Sequence, residues 1–218
     1  METRFYAADL AAYNNGRLHG AWIDATSDED EMKEAVAAML RKSPYPNVTV
    51  ECPECDGAGC AACNGEGEVP SAEEWLIHDY DDPARAISHL GETSDLSEIA
   101  EIMEAVEEIE NDHDENRLPL LMAWLADHCS SPSEWADKLS DAYAGEYSDP
   151  EDYAADLASD CGYLENVPEA LRGYIDFRAW ARDMALGGEI DFIDLCTGDH
   201  LQSYDDMRGR ECLVLRNL

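Results

Sequence analysis

Asp95-Leu96-Ser97-Glu98-Ile99-Ala100-Glu101-Ile102-Met103-Glu104-Ala105-Val106-Glu107-Glu108-Ile109-Glu110 decides how this chain is read. At 100° per residue, Leu96, Ile99, Ile102, Met103, Val106 and Ile109 gather on one arc of about 140°, the pattern of an amphipathic helix with one buried face. Glu98, Glu101, Glu104, Glu107 and Glu108 take the other side. Solvation requires only polarity, and a surface of mixed sign would gain about 0.2–0.5 kcal/mol per i,i+4 ion pair. Glu104 and Glu108 instead form a like-charge pair, which costs a similar amount. Helix stability has been forgone for a field of one sign.

The field spreads outward from this helix. Between Ala86 and Leu171 stand 23 acidic residues against Arg117 and Lys138, a formal charge of −21. The whole chain of 218 residues sets 14 Lys plus Arg against 50 Asp plus Glu, for −36 at pH 7. Bare nucleic-acid phosphates and anionic membranes are repelled by that sign, so neither is expected as a partner. The longest nearly uninterrupted apolar run, Leu118 to Ala126, is far short of the roughly 20 residues that span a bilayer. The opening Met-Glu-Thr-Arg-Phe-Tyr lacks the basic and apolar segments of a secretory signal, so a cytoplasmic location is expected. With 45% hydrophobic residues, five Trp, ten Tyr and three Phe, the chain has the apolar surface to fold despite its acidity.

A concentrated negative field has a physical counterpart in duplex DNA, which presents one charge per about 1.7 Å of axis. At that density 36 charges match about 60 Å of duplex, and a dimer about twice that. A groove lined by Lys and Arg would not distinguish such a surface from phosphate by charge alone. Salt-adapted proteins are also acidic, and three Lys against eleven Arg is compatible with them. An even spread of charge would favour brine; the spread here is uneven.

Four of the eight Cys fall within twelve residues, Cys52-Pro53-Glu54-Cys55-Asp56-Gly57-Ala58-Gly59-Cys60-Ala61-Ala62-Cys63. Each C-x2-C pair places two thiolates on one tight turn, and two pairs complete a tetrahedral S4 shell with zinc–sulfur bonds of about 2.3 Å. Gly57, Gly59, Gly65 and Gly67 follow as C-x2-C-x-G-x-G, letting the backbone turn and aim amides at the sulfurs. One structural zinc ion is expected, because a closed thiolate shell leaves no position for water. Disulfides or reactive thiols are the alternative in an oxidising setting. The tandem units resemble the cysteine-rich module of DnaJ-type chaperones; without its further repeats or a J-domain, the resemblance implies a zinc knuckle only. Cys129, Cys161, Cys196 and Cys212 are scattered and read as small buried hydrophobes.

The remaining pattern predicts an α+β fold of three small domains, held in an elongated arrangement by self-repulsion. Residues 1–84 form an α/β domain. Its strands are Arg4–Ala8, Leu18–Ala25, Asn47–Cys52 and Glu74–Tyr80, and a helix capped at Ser27 runs to Pro44. The zinc knuckle, residues 51–69, is inserted between the last two strands. Residues 85–130 form a helical domain from Asp95–Glu110 and Leu118–His128. Residues 131–218 mix helices starting at Ser133, at Ser148 or Asp149, and at Pro168 with strands Glu189–Leu195 and Cys212–Leu215. Tyr13-Asn14-Asn15-Gly16 reads as a turn.

Enzyme chemistry finds little support. His78-Asp79 is a single HD pair, and a hydrolase built on it would need a second, non-thiolate metal. Nucleotide-binding Gly-rich loops and framed nucleophiles are absent. Trp75, Trp124, Trp135 and Trp180 read as core anchors, since a base-stacking platform needs basic neighbours.

Phe5-Tyr6-Ala7-Ala8-Asp9-Leu10, Tyr13-Asn14-x-Gly16-x-Leu18-x-Gly20-Ala21-Trp22, Ile77-His78-Asp79-Tyr80, Val167-Pro168-Glu169-Ala170-Leu171, Tyr174-Ile175-Asp176-Phe177 and Ala181-Arg182-Asp183-Met184 resemble, in the same order, the ArdA antirestriction proteins of mobile elements. The resemblance implies an elongated, dimeric mimic of bent B-form DNA that fills the DNA groove of type I restriction–modification enzymes, contacting their specificity and methyltransferase subunits. It also implies an antirestriction motif near the dimer contact, at about Asp149 to Leu164 here. The knuckle and the stretch after Leu195 depart from the usual family pattern. The candidate phosphate mimics are then Glu98, Glu101, Glu104, Glu107, Glu108, Asp112, Asp114, Glu115, Asp149, Glu151, Asp152, Asp156 and Asp160. A rival partner for the same acidity is a basic nucleoid or histone-like protein, with the knuckle as docking element.

Overall fold

Strand β1 (Arg4–Asp9) runs straight into the short helix α1 (Leu10–Asn14), because Asp9 serves both. Its buried carboxylate accepts the Ala12 N–H at 3.1 Å and the Ser43 hydroxyl at 2.5 Å, so burial leaves it satisfied. The sequence pattern showed the turn after α1 but not the helix, which is only five residues long. The computed structural model describes residues 2–217, and the chain divides into two compact units, Met1–Ser133 and Glu134–Leu218. The fold is α+β, and among the described residues no helix is long and apolar enough to cross a membrane.

In the first unit β2 (Gly20–Asp24) pairs antiparallel with β1 and leads to α2 (Glu29–Leu40). Asp28, not Ser27, caps α2: its carboxylate accepts the N–H groups of Asp30 and Glu31, while the Ser27 hydroxyl donates to Glu107 at 3.1 Å. Glu29, Asp30 and Glu31 in the first turn complement the helix dipole. Then come β3 (Val48–Glu51), β4 (Glu68–Ser71) and β5 (Trp75–Asp81). Strands β2, β1 and β5 form one antiparallel sheet in that order, and β3 and β4 form a separate hairpin. Phe5, Ala7 and Ile77 are fully buried on the core side of the sheet. Strand β4 is absent from the sequence expectation because Pro70 lacks an N–H; a two-stranded ribbon tolerates it, every strand there being an edge.

Helix α3 (Leu96–Glu110) is capped by Asp95, whose carboxylate accepts the Ser97 and Glu98 N–H groups. All six apolar residues assigned to its inner arc are buried. Helix α4 (Leu118–His128) buries Leu118, Leu121, Met122, Trp124 and Leu125. Helix α2 packs against both β2 and α3, so residues 85–130 lie in the same compact unit as the N-terminal sheet.

The second unit begins with α5 (Trp135–Ala142), two residues after the Ser133 start and preceded by a 3-10 turn. It continues through β6 (Tyr143–Tyr147), α6 (Pro150–Asp160), α7 (Glu169–Arg172), α8 (Phe177–Gly187), β7 (Ile190–Asp194) and β8 (Cys212–Arg216). Strand β8 is central in the antiparallel order β6-β8-β7, which is why Cys212, Leu213, Val214 and Leu215 are buried without alternation. Strand β6 was hidden by Gly145, which sits at a register shift with φ 118°. Helices α6 and α8 pack together, and Tyr153, Ala154, Ala181, Met184, Phe192, Leu201, Met207 and Val214 share one core.

At the end of β7, buried Asp194 accepts the N–H groups of Cys196 (2.8 Å) and Thr197 (3.0 Å) and pairs with Arg210 at 3.2 Å. Burial pushes its pKa up, but the two amides and the guanidinium outweigh that and hold it below the usual carboxylate range. A group depressed in the folded state stabilises fully above its unfolded pKa of about 3.9 and loses that contribution as pH falls through the folded value. Asp194→Asn is therefore expected to destabilise the second unit at pH 7 by about 1.5–3 kcal/mol. The gap to the parent should narrow below about pH 4, as read by thermal unfolding across pH.

Candidate functional site

The β3–β4 ribbon pairs Val48 with Ser71, Thr49 with Pro70, Val50 with Val69 and Glu51 with Glu68, and its tip carries the four clustered cysteines. The two Cys-containing turns repeat each other residue for residue. Asp56, Gly57 and Gly59 have φ of 44°, 75° and 86°; Asn64, Gly65 and Gly67 have 53°, 83° and 77°. This repetition brings the turns face to face. Sγ atoms lie 4.0 Å apart for Cys52 and Cys60, 3.8 Å for Cys55 and Cys63, and 3.8 Å for Cys60 and Cys63. A tetrahedron with metal–sulfur bonds of about 2.3 Å has edges of about 3.8 Å, so the residues fit one ion in an S4 shell.

The backbone supports the same arrangement. The N–H groups of Cys60 and Gly67 donate to Cys63 Sγ at 3.1 and 3.3 Å and lower its pKa to about 6, whereas burial pushes Cys55 up to about 12. A dication held there would supply the positive charge that such clustered thiolates require. Among the described residues no other group of three or more His, Cys, Asp or Glu is placed to hold a metal. His78 instead packs edge-on against Tyr13, with ring centroids 5.2 Å apart. Of the other cysteines, Cys212 is buried and Cys129 half-buried, but Cys161 and Cys196 are exposed, contrary to the expected burial. Both follow the end of an element, α6 or β7, where the chain leaves the core. Trp124 and Trp135 are buried anchors, and Trp75 and Trp180 are half-buried.

The acidic candidates fall into two groups. Glu98, Glu101, Glu104, Glu107 and Glu108 are all exposed on α3, and Asp112, Asp114 and Glu115 are exposed in the loop after it. At 1.5 Å per residue, Glu98 to Glu108 covers about 15 Å of axis, one carboxylate per about 4 Å. A single DNA strand presents one charge per about 3.4 Å. The ion pairs Arg4–Asp81, Lys33–Glu29 and Arg41–Glu34 in this unit neutralise acids elsewhere.

In the second unit Asp152, Asp156 and Asp160 lie exposed at i, i+4 and i+8, on one face of α6. Asp149 and Glu151 are differently engaged. Asp149 caps α6 through the Asp152 N–H at 3.0 Å and also accepts the Gly209 N–H at 2.9 Å. Glu151 is half-buried, 3.6 Å from Arg208. A further acidic group lies outside the expected set: Glu51, Glu54, Asp56, Glu66 and Glu68 on the cysteine hairpin are all exposed. Its signal was available, because no Lys or Arg stands between Lys42 and Arg85.

Curated proteins give no match to the chain. A family model described as antirestriction protein (ArdA) matches residues 5–196. That span holds β1 from Phe5 on, every element from α1 to β7, the cysteine hairpin and both acidic helix faces. By this match the chain belongs to the ArdA antirestriction protein family.

Proposed function

We propose that the protein is a non-enzymatic mimic of B-form DNA that occupies the DNA groove of a type I restriction–modification enzyme, in contact with its specificity and methyltransferase subunits. The observation that carries this reading is the α3 face, where exposed carboxylates follow one another at nearly the axial spacing of phosphates on one strand. Asp112, Asp114 and Glu115, exposed in the loop after α3, add to it. Asp152, Asp156 and Asp160 supply a second one. Asp149 and Glu151 act chiefly by holding α6 and the 207–209 segment in place. Two copies, joined through residues 131–218, double the span of imitated duplex. Cys52, Cys55, Cys60 and Cys63 hold one structural zinc ion, a choice supported by the all-sulfur donor set and its tetrahedral edges. The protein acts in the cytoplasm, where its target enzyme and DNA meet.

Capture from a lysate containing a type I system tests the partner. Recovery of specificity and methyltransferase subunits at low salt, lost as salt rises, is the expected result. Recovery of small basic nucleoid proteins in their place would overturn it.

A further inference from the structure

We propose that the cysteine hairpin is a metal-gated arm: a bound ion orders residues 52–67, and its loss releases them while both compact units stay folded. The inference rests on reading Cys52, Cys55, Cys60 and Cys63 as metal ligands. Within residues 52–67 only Cys52, Cys63 and Gly67 are buried, and Pro53, Ala58, Ala61 and Ala62 are exposed. No apolar core holds the tip. The stem below it is four residue pairs long, and an isolated two-stranded hairpin is marginal in water.

Charge acts against closure as well. Glu51 and Glu68 are direct cross-strand partners at the top of the stem, and like charges directly opposite destabilise a ladder. Glu54, Asp56 and Glu66 add to the repulsion without a Lys or Arg nearby in sequence. Four thiolates around a dication carry a net −2, so the closed tip remains anionic. Against these forces the turns clasp closely: a Cβ on Gly67 would stand 2.3 Å from the Gly57 carbonyl oxygen, and one on Gly59 2.7 Å from that of Gly65. Beyond the one ladder bond from the Cys52 N–H to the Gly67 carbonyl at 2.9 Å, attraction through the shared ion draws the halves to that distance.

The attachment to the body is separate. At the base, Asn47 N–H donates to the Ser71 carbonyl and Ala72 N–H to the Leu40 carbonyl. The sheet of β2, β1 and β5 and helices α2, α3 and α4 have their own buried residues. The arm thus has two states. With metal, Glu54, Asp56 and Glu66 form a fixed acidic tip; without it, they disperse. Metal supply would then regulate how much ordered acidic surface the first unit presents.

The full-length chain tests this by digestion with a glutamate-specific protease, with and without zinc. At zinc 100-fold above its Kd, the opened population falls about 100-fold, and cleavage after Glu54 and Glu66 should slow by that factor. The main thermal transition of the metal-free chain should stay in place, and the Cys55→Ser, Cys60→Ser double variant should be cut rapidly at any zinc concentration. One zinc bound per chain with unchanged cleavage would overturn the gating alone. Collapse of the main transition on metal removal would also overturn it. Elemental analysis finding no bound metal would overturn the ligand reading, and the gate with it.

Discussion

Changing Glu98, Glu101, Glu104, Glu107 and Glu108 together to glutamine should weaken binding to a type I methyltransferase by about 10²- to 10³-fold at low salt. An exposed charge pair contributes about 0.2–1 kcal/mol, so five lost pairs near the upper end of that range reach this size at about 1.4 kcal/mol per tenfold. Glutamine keeps the length and helix propensity of glutamate, and its amide oxygen still accepts the Ser27 hydroxyl at position 107. The fold should therefore be unharmed. Removing the Glu104–Glu108 repulsion relieves about 0.2–0.5 kcal/mol, so the variant should melt no lower than the parent. Its residual binding should also respond less to salt. Unchanged affinity in a folded variant would move the contact surface away from α3.

The second large effect is expected at the hairpin, where two glycines with similar backbone angles separate strain from collision. Gly65 and Gly67 have φ of 83° and 77°, conformations that cost a side chain roughly 1–2 kcal/mol. Around Gly65 nothing lies within 4 Å of an added Cβ, whereas at Gly67 the Gly57 carbonyl oxygen stands 2.3 Å away. Gly67 also donates its N–H to Cys63 Sγ. Gly65→Ala should lower zinc affinity by about tenfold, the size of its backbone strain. Gly67→Ala should lower it by about 100-fold or more, because the turns are forced apart and the hydrogen bond to sulfur is lost. Competition against a chromophoric chelator measures both. Equal losses would show that the clasp is not set by the Gly57–Gly67 approach.

Both candidate sites are legible in sequence for a shared reason: their signals are local. The α3 arc and its acidic outer face lie within sixteen residues, and the cysteine quartet within twelve. Where side-chain chemistry permits two roles, sequence could not choose. Asp149 is equally suited to meet a basic groove and to cap a helix, and only the fold shows it bonded to the Asp152 and Gly209 amides. Ser27 and Asp28 are both good caps, and the choice depends on Glu107, eighty residues away in the chain. Strands β4 and β6 escaped because Pro70 and Gly145 are poor strand formers, tolerated in a ribbon edge and at a bulge. The acids of the hairpin were visible but overshadowed by the cysteines between them.

Competition for DNA is the most direct test of the mimicry. A fluorescent duplex carrying the recognition sequence is bound to a purified type I methyltransferase, and the protein is titrated in at low and at near-physiological salt. The duplex should be released as protein is added, with the half-point moving to higher protein concentration as salt rises, since both complexes rest on screened charge pairs. A duplex that stays bound at saturating protein and low salt would contradict the claim that these carboxylates take the place of phosphates.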